Sequence, residues 1–482
     1  MRICTDRSQC RRFISDHELN LHGEKITYRA VAESTMLEHE DGRPLSELFS
    51  FTYLRTDENR PDRPVLFAFN GGPGSSSVWM HLGLLGPRRV KMDCAVNPNP
   101  LMPYELEDNP HCLLDLCDLV LIDSTGTGYA RLSDEAAAPL LYSICGDAES
   151  MALFIEDWLN RYDRHNSPRF LAGESYGTIR ACLLTRELMG GPTTACRRLC
   201  ALPVNGLILL GTSIMLPMLQ NNPPVWPQIL MLLSYSAVHH YHHPEGKPPL
   251  FAFVEEAWRF ASQDYLLALF AGRSLSPDKR RLICSRLSDL TGIEADVFDR
   301  HELLLDDLTF RTNVLKKEGL DVGAYDGRYT LPHQEMKTLI DPVADDPAMG
   351  QYTPAYIGAM NAALKSELSI ELDRVYRAID FSVNALWNYE TPVTPTDALA
   401  LAMRRNPHMA VFFGSGLYDL VTPAGVVRYL VRHLDLPQDK VVLREYASGH
   451  MPYLGEESAF ALENDLRSFL LNKSCSEEQR GL

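Results

Sequence analysis

Residues 169–188 have the sequence RFLAGESYGTIRACLLTREL, and this stretch decides the fold. Its first five residues form a short apolar run typical of a buried strand, whereas TIRACLLTREL has the apolar periodicity of a helix. Between them, the glycines of Gly173-Glu174-Ser175-Tyr176-Gly177 permit a tight turn in which side chains would collide. We therefore predict a strand, a sharp turn and a helix, with the hydroxyl of Ser175 lifted above a sheet edge.

Short apolar segments on both sides of this turn predict the other strands. ELFSFTYL, PVLFAFN (64–70) and DLVLID (118–123) precede it, and NGLILLG, MAVFFG and VVLREY follow it. Helical patterns separate these segments. In GDAESMALFIEDWLNRY, one helical face carries Met151, Phe154, Ile155, Trp158 and Leu159. This alternation is typical of a mostly parallel sheet covered by helices on both faces, which is an α/β fold.

The predicted secondary structure changes along the chain and divides it into parts. Between 215 and 391 the sequence becomes mainly helical, with patterns such as FVEEAWRFASQDYLLALFAG, DKRRLICSRLSDL and IGAMNAALKSEL. We predict one elaborated domain, in which 1–214 form the first part of the core, 215–391 form an inserted helical cap, and 392–482 complete the core. EESAFALENDLRSFLLN is predicted to be the closing helix.

Charge and composition exclude several classes of function. The 46 basic and 63 acidic residues give a formal net charge of -17, which repels nucleic-acid backbones and anionic membranes. The first residues lack the apolar stretch of a secretory signal, and no later run is long enough to span a bilayer. We expect a cytoplasmic protein, or an exported one if the true chain begins further upstream. A homodimer is left open.

Metal and cofactor sites are not expected. The cluster HHYHH at 239–243 has no acidic or cysteine ligand close by in sequence and no HExxH motif, so we interpret it as a polar loop of the cap. Gly414-x-Gly416 lacks the third glycine of a dinucleotide site. The 11 cysteines show no Cys-x-x-Cys pair and are interpreted as reduced structural thiols, with disulfides left open for an exported chain.

A serine hydroxyl needs a base and an orienting carboxylate, and both follow Ser175 in the expected order of Ser, Asp and His. Asp419 comes just after the strand MAVFF, and His450 comes just after VVLREY. Open α/β sheets gather their sites at the carboxyl ends of their strands, where both residues are placed. We predict a catalytic triad of Ser175, Asp419 and His450 in an α/β-hydrolase fold.

The loop Asn70-Gly71-Gly72-Pro73-Gly74-Ser75-Ser76-Ser77 follows the strand PVLFAF. Its glycines allow backbone amides to approach a substrate closely. A tetrahedral intermediate needs two such donors, which we assign to the amides of Gly72 and Tyr176. Removal of one such donor typically raises the barrier by about 3 kcal/mol.

The motifs NGGPGSSS, GESYG, SGLYDLVTP and SGHMPY together resemble those of the serine carboxypeptidases, peptidase family S10, as does DSTGTGYA at 123–130. The resemblance implies hydrolysis of the C-terminal bond of a peptide substrate. It further implies that Asn70, Gly71 and Glu174 hold the free carboxylate. A carboxyl group beside a carboxylate is favourable only if the two share a proton, so such recognition favours acidic pH.

Three positions depart from the pattern of the secreted eukaryotic members. Phe69 replaces a tryptophan, Ser75 replaces a disulfide-forming cysteine, and Leu84 stands where a further carboxylate-binding glutamate would align. These departures suit a bacterial-type branch of the family. Because fold and triad do not choose between amide, ester and transfer chemistry, an esterase or acyltransferase is the alternative. A catalytically silent binding protein is disfavoured by the intact triad.

Overall fold

The computed structural model describes residues 1–6, 8, 10–58, 60–99, 101–215, 225–334 and 341–471. Eleven of its strands form one central sheet, and four others form two separate hairpins, β6 with β7 and β12 with β13. The strands are β1 (Arg2–Ile3), β2 (Arg12–Leu21), β3 (Glu24–Glu38), β4 (Pro44–Arg55), β5 (Val65–Phe69), β6 (Arg88–Lys91), β7 (Glu105–Asp108), β8 (Asp118–Asp123), β9 (Arg131–Leu132), β10 (Arg169–Glu174), β11 (Gly206–Leu210), β12 (Leu320–Val322), β13 (Thr330–Pro332), β14 (Ala410–Gly416) and β15 (Val441–Tyr446).

The strand order is β1-β3-β4-β8-β5-β10-β11-β14-β15, with β2 paired to β3 and β9 to β4. From β8 to β15 all neighbours are parallel. Strands β5, β8, β10 and β11 are buried along their whole length, as continuous apolar runs in a doubly covered sheet require. The predicted parallel sheet is confirmed. The antiparallel edge formed by β1, β2 and β3 was not predicted from the sequence.

Helices cover both faces of the sheet and fill the segment between β11 and β14. In chain order, the α-helices of the described residues are α1 (Val78–Met80), α2 (Ala138–Leu141), α3 (Ile144–Arg161), α4 (Tyr176–Met189), α5 (Val225–His242), α6 (Leu250–Phe260), α7 (Leu266–Ala271), α8 (Pro277–Thr291), α9 (Ala295–Arg300), α10 (Asp307–Asn313), α11 (Pro347–Gly358), α12 (Lys365–Glu367), α13 (Phe381–Ala385), α14 (Pro395–Arg405), α15 (Ala424–His433) and α16 (Glu456–Leu470).

The apolar face predicted for α3 packs against the core. All five residues predicted to share its apolar face are buried in the core. The ring of Trp158 meets Phe67 of β5 edge-on, with 5.3 Å between the ring centroids. Ser143 caps the helix by accepting a hydrogen bond from the amide of Gly146. The predicted helix is therefore present, and it covers the sheet beside the turn at Ser175.

A long insertion separates two neighbouring strands. Strands β11 and β14 pair directly, although residues 211–409 lie between them in the chain. The described part of this segment holds helices α5 to α14 and the β12-β13 hairpin. The predicted cap limits of 215 and 391 stay a prediction. In the described part of the chain, no helix has the length and apolar character needed to cross a membrane.

The interpretation of HHYHH as a loop was wrong. Helix α5 continues through His242, so most of the cluster is helical. His239 is buried, and its ring lies against Gly292, where a Cβ atom would come within 2.7 Å of it. Apolar residues extend the buried face of α5 up to this histidine, so packing favours helix where composition suggested a polar loop. The ten cysteines that the structure describes are free thiols, and Cys475 lies outside the described residues.

A buried cluster of charges ties the amino ends of the parallel strands. Asp118, the first residue of β8, accepts hydrogen bonds from Arg63 Nε at 3.1 Å and from Arg164 Nη1 at 2.5 Å. It also accepts the backbone amide of Arg55 at 3.0 Å. All the charges of this cluster are largely removed from water. Loss of the carboxylate would leave the buried Arg164 without its ion-pair partner and Arg63 with only Glu58 as its partner.

We expect Asp118→Ala to lower the free energy of unfolding by about 3–5 kcal/mol, because uncompensated buried charges are costly. Urea denaturation followed by circular dichroism measures the change. The control is Asp16→Ala, which removes an exposed partner of Arg29 and should change stability by less than about 1 kcal/mol. Equal effects of the two substitutions would contradict the structural role of Asp118.

Candidate active site

The predicted sharp turn at Ser175 is present, and its backbone is strained. Strand β10 ends at Glu174 and α4 begins at Tyr176, and Ser175 between them has φ 59° and ψ -128°. A non-glycine residue rarely adopts positive φ, and such strain concentrates at functional sites. A Cβ atom on Gly177 would lie 2.8 Å from the carbonyl oxygen of Phe69, and one on Gly173 would collide with Gly177. The two glycines are therefore required by the tightness of the turn.

Hydrogen bonds hold the backbone of Ser175 on both sides. Its amide donates to the carbonyl oxygen of Leu210 in the neighbouring strand β11, at 3.0 Å. Its own carbonyl oxygen accepts the hydroxyls of Thr178 at 2.6 Å and Ser213 at 2.7 Å. These bonds stabilise a backbone conformation that would otherwise be unfavourable.

Asp419 and His450 meet on two loops that follow adjacent strands. His450 Nδ1 lies 2.8 Å from Oδ2 of Asp419, which is fully buried. The other oxygen of Asp419 accepts the amides of Val421 at 2.8 Å and Thr422 at 2.9 Å, and the hydroxyl of Thr422 donates to Oδ2. Because both oxygens have donors, the carboxylate is fixed in the orientation that meets the imidazole.

The environment of His450 sets both its charge and its tautomer. Burial lowers the pKa of His450, but the charge of Asp419 and its hydrogen bond outweigh burial and raise the pKa above its usual 6.5. The carboxylate favours the tautomer with the proton on Nδ1. Nε2 is then the free acceptor, as a general base requires.

A cavity of about 70 Å³ contains most of the predicted site. The predicted residues that line it are Asn70, Gly71, Gly72, Glu174, Ser175 and His450. Asp419 lies behind His450, and the backbone amide of Tyr176 lies against Gly71. The structure thus brings all the predicted site residues together around one small space.

Glu174 and Asn70 form a buried pair at one side of this cavity. Asn70 Nδ2 donates to Oε1 of Glu174 at 2.7 Å, and its own oxygen accepts the amide of Met80 at 3.0 Å. Apart from the adjacent hydroxyl of Tyr453, no group of the described protein bonds Oε2 of Glu174. This acidic oxygen can therefore meet a ligand in the cavity.

Burial raises the pKa of Glu174 to about 7. The imidazolium form of His450, together with Tyr453 and Asn70, favours the charged carboxylate, but these effects are smaller than the loss of solvation. Glu174 therefore keeps its proton at acidic pH and up to about neutrality. A neutral carboxyl is a hydrogen-bond donor, which an ionised one is not.

Gly71 brings the first glycine loop into contact with the turn at Ser175. A Cβ atom on Gly71 would lie 2.7 Å from the carbonyl oxygen of Glu174 and would collide with the amide of Tyr176. Gly72 follows with φ 99°, a conformation that favours glycine. Tyr176 is the first residue of α4, so its amide has no acceptor within the helix. The two amides assigned as oxyanion donors therefore lie on backbones that touch.

Arg180 supports this contact from below and was not found by sequence analysis. Its Nε donates to Asp147 at 2.7 Å, and its Nη1 donates to the carbonyl oxygen of Asn70 at 2.6 Å. The guanidinium also lies 5.3 Å from the ring centroid of Phe69 and 5.4 Å from that of Tyr176. An arginine inside an amphipathic helix gives no signal of such a role in a single sequence.

The remaining lining of the cavity is mainly aromatic and apolar, and sequence analysis missed it. It consists of Trp79, Tyr325, Met349, Tyr352, Ile379 and Met451, together with Ser75. Tyr325, Met349, Tyr352 and Ile379 come from the insertion, whose sequence carries no comparable motif. Leu84 is buried in the apolar core and is absent from the described lining.

The histidine cluster lies outside this cavity. His239 Nδ1 bonds the carbonyl oxygen of Leu290 at 3.1 Å, and His242 Nε2 bonds that of Gly327 at 2.8 Å. Within the described ranges of the chain, no group of three or more His, Cys, Asp or Glu side chains is placed to hold a metal ion.

Part of the chain is similar to known serine carboxypeptidases. Residues 41–221, which include the glycine loop and the Ser175 turn, match the family model described as serine carboxypeptidase. Serine carboxypeptidase-like 5 of Arabidopsis thaliana is 26% identical over 154 residues, which are 31% of this chain and 33% of the relative. Serine carboxypeptidase-like 4 of the same plant is 24% identical over 161 residues, covering 33% and 34%.

The matched region thus spans about a third of the length of these serine carboxypeptidase relatives. Across the whole chain, a solved prohormone-processing carboxypeptidase from Saccharomyces cerevisiae aligns with a TM-score of 0.57 and 14% identity. The alignment covers 95% of this chain and 91% of that one. This likeness concerns the fold, and the predicted α/β-hydrolase class is confirmed.

We expect Glu174→Gln to stabilise the protein at pH 8 and to have little effect at pH 4.5. The unfolded carboxyl ionises near 4.5 and the folded one near 7, so the native protein loses stability as pH rises between these values. A glutamine cannot ionise, and it retains an acceptor for Asn70. The gain at pH 8 should be up to about 3 kcal/mol.

Urea denaturation at the two pH values measures this difference. Glu18→Gln alters an exposed side chain and should leave stability nearly unchanged at both pH values. A stability change for Glu174→Gln that is the same at pH 4.5 and pH 8 would contradict the raised pKa.

Proposed function

We propose that this protein is a serine carboxypeptidase that cleaves the C-terminal bond of peptides through an acyl-enzyme on Ser175. The observation that carries the proposal is the buried Asn70–Glu174 pair in the cavity that Ser175 and His450 also line. A triad alone would serve many acyl-transfer reactions. An uncharged acidic group beside it adds a site suited to a substrate carboxylate.

The proposed acylation step begins when His450 Nε2 removes the proton of the Ser175 hydroxyl. The serine oxygen attacks the carbonyl carbon of the last peptide bond, and the negative charge develops on the carbonyl oxygen. The amides of Gly72 and Tyr176 stabilise that charge. His450 then protonates the leaving amine, and the C-terminal amino acid departs. Asp419 keeps the imidazole in the required tautomer and stabilises its charged form.

Deacylation repeats these steps with water. His450 removes a proton from water as it attacks the acyl-enzyme, and the same amides hold the second oxyanion. Collapse of this intermediate releases the shortened peptide and returns the proton to Ser175.

Recognition of the free carboxylate is proposed to use Glu174, Asn70 and the amide of Gly71. Oε2 of Glu174 would share the carboxyl proton with the substrate carboxylate, which makes two acidic groups compatible in a buried place. Asn70 is held by Met80 and by Glu174, so its amide orientation is fixed before substrate binds. Leu84 contributes no polar group to this recognition.

We expect release of the C-terminal amino acid from N-blocked dipeptides, and at least about 100-fold slower release from the corresponding C-terminal amides. A C-terminal amide lacks the carboxylate that Glu174 and Asn70 would recognise. Loss of these contacts weakens binding of the transition state. Ser175→Ala should reduce turnover by at least about 10⁴-fold. Amino-acid analysis of the products measures all three rates.

The same measurements distinguish a carboxypeptidase from the alternative, an esterase or acyltransferase. Hydrolysis of esters by the wild type, with no release from either dipeptides or amides, would assign the same triad to an esterase or acyltransferase. Wild-type turnover in Ser175→Ala would refute the triad itself.

The pH dependence tests the carboxylate site. His450 must be neutral to act as a base, so kcat/KM should rise with pH through its raised pKa. For free-acid substrates, KM should increase above about pH 7 as Glu174 ionises and repels the substrate. An ester substrate without a carboxylate should show no such increase. In Glu174→Gln the alkaline increase in KM should disappear, and its persistence would exclude Glu174 as the titrating group.

Membership of a bacterial-type branch of the family belongs to the same proposal and rests on Phe69, Ser75 and Leu84. The peptide nature of the substrate is likewise proposed, from the family match and the carboxylate site together.

A further inference from the structure

A five-residue segment of the insertion contacts both loops that carry Asp419 and His450. Residues 324–328, Ala-Tyr-Asp-Gly-Arg, connect β12 to β13, and we refer to them as the 324–328 clasp. They are distant in sequence from both loops. The clasp is joined to the rest of the insertion by Asp346, which caps α11 and accepts the amide of Ala324 at 2.6 Å.

Main-chain hydrogen bonds join the clasp to each loop. The amide of His450 donates to the carbonyl oxygen of Tyr325 at 2.7 Å. On the other loop, the amide of Leu420 donates to Ala324 at 2.9 Å, and the carbonyl oxygen of Tyr418 accepts the amide of Gly327 at 2.9 Å. The backbone on both sides of Asp419, and that of His450 itself, is therefore held by the clasp.

Arg328 and Asp326 form a buried ion pair beneath the His450 loop. Their side chains are 7% and 1% exposed, and Arg328 Nη2 lies 2.6 Å from Oδ2 of Asp326. The guanidinium also donates to three acceptors of the loop: Ala447 O at 3.1 Å, Ser448 Oγ at 3.1 Å and Leu454 O at 3.3 Å. It thus binds the loop both before and after His450.

Close packing leaves the loop little freedom to move. A Cβ atom on Gly449 would lie 2.5 Å from the Cβ of Asp326, so the residue next to His450 rests directly on the ion pair. The guanidinium lies 5.3 Å from the ring centroid of Tyr418, which belongs to the Asp419 loop. A planar guanidinium can serve several acceptors in fixed directions, whereas a lysine ammonium on a flexible stem cannot do so equally well.

We propose that Asp326 and Arg328 are positioning residues that hold His450 in register with Asp419 and Ser175. This inference rests on the proposed function, since it assigns a role in the same reaction. Asp419 fixes the imidazole through one hydrogen bond, and the clasp fixes the backbone from which the imidazole extends. The insertion is then part of the catalytic apparatus as well as a cover for it.

The test compares Arg328→Lys and Asp326→Asn with the wild type and with Arg164→Lys. Arg164 is also a buried arginine paired with an aspartate, but its partner Asp118 begins β8 at the opposite ends of the parallel strands. The control therefore reports loss of stability alone. Asp326→Asn retains the size and much of the hydrogen bonding of the aspartate, so it serves if Arg328→Lys does not fold.

Four quantities are measured well below the melting temperature of each variant: kcat, KM, the pH of the acidic limb of kcat/KM, and the rate of labelling of Ser175 by a fluorophosphonate. We expect kcat and the labelling rate to fall by about 10-fold or more in both clasp variants, because displacement of a catalytic group by 1 Å can cost about 100-fold. KM should stay within about threefold. The acidic limb should shift, since His450 faces Asp419, Glu174 and Tyr325 and would change its distance to them.

One outcome would contradict the role of the clasp, and a different one would contradict the proposed function. If the clasp variants lose melting temperature as Arg164→Lys does but keep wild-type kcat, labelling rate and pH limb, the ion pair is only structural and the clasp proposal is wrong. If the wild type itself does not react with the fluorophosphonate, the proposed function fails first.

Discussion

Contact between two main chains is the constraint on which this site depends. The loop at Gly71 approaches the turn at Ser175 so closely that one additional carbon atom would collide with it. Strands β5 and β10 are parallel neighbours, with Gly173 paired to Phe69, so the two loops leave the sheet side by side. Glycine at 71 lets them stay together beyond the sheet edge. Asn70, Gly72 and Glu174 line a single cavity because of this approach, and the amide of Tyr176 lies against Gly71.

The two buried ionisable groups near that contact, Arg180 and Glu174, differ in how far their partners compensate for burial. Arg180 has a carboxylate, two oxygen acceptors and two aromatic rings around its guanidinium, so its burial is compensated. Glu174 is equally buried, but its loss of solvation outweighs the hydrogen bonds of Asn70 and Tyr453, so it keeps its proton up to about neutral pH. Arg180 therefore makes the surrounding backbone rigid. Glu174 has a pKa above that of a solvated carboxyl and so differs in acidity.

The sequence predicts those features that arise from local rules. The parallel strands are recognisable because fully buried strands must be apolar throughout, as in VLFAF and GLILL. The turn at Ser175 is recognisable because its glycines are sterically required. The long β2-β3 hairpin escaped prediction because β2 lies at a half-exposed edge and its sequence RFISDHELNL is largely polar, although burial alternates along the strand. The polar composition of HHYHH favours a loop, but the buried apolar face of α5 extends to His239 and keeps most of the cluster helical.

What could not be predicted depends on pairs of residues far apart in the chain. Arg180 acts through Asn70, and Tyr352 reaches the cavity from a helix that carries no motif. The 324–328 clasp contacts residues that lie between 91 and 126 positions later in the chain. Single-sequence reasoning has no access to such partners, since each is an ordinary residue until the fold supplies its neighbour.

The position of the insertion has an evolutionary consequence. Because the segment leaves the sheet after β11 and returns at β14, and these two strands pair directly, its length and content can drift without disturbing the register of the core. Exchange of its helices could then remodel the walls around a substrate while the sheet stays as it is. Residues 324–328 should tolerate less sequence change than the rest of the insertion, since a change there would displace His450. Diversification of such an insertion would thus be expected to proceed around a short, slowly changing anchor.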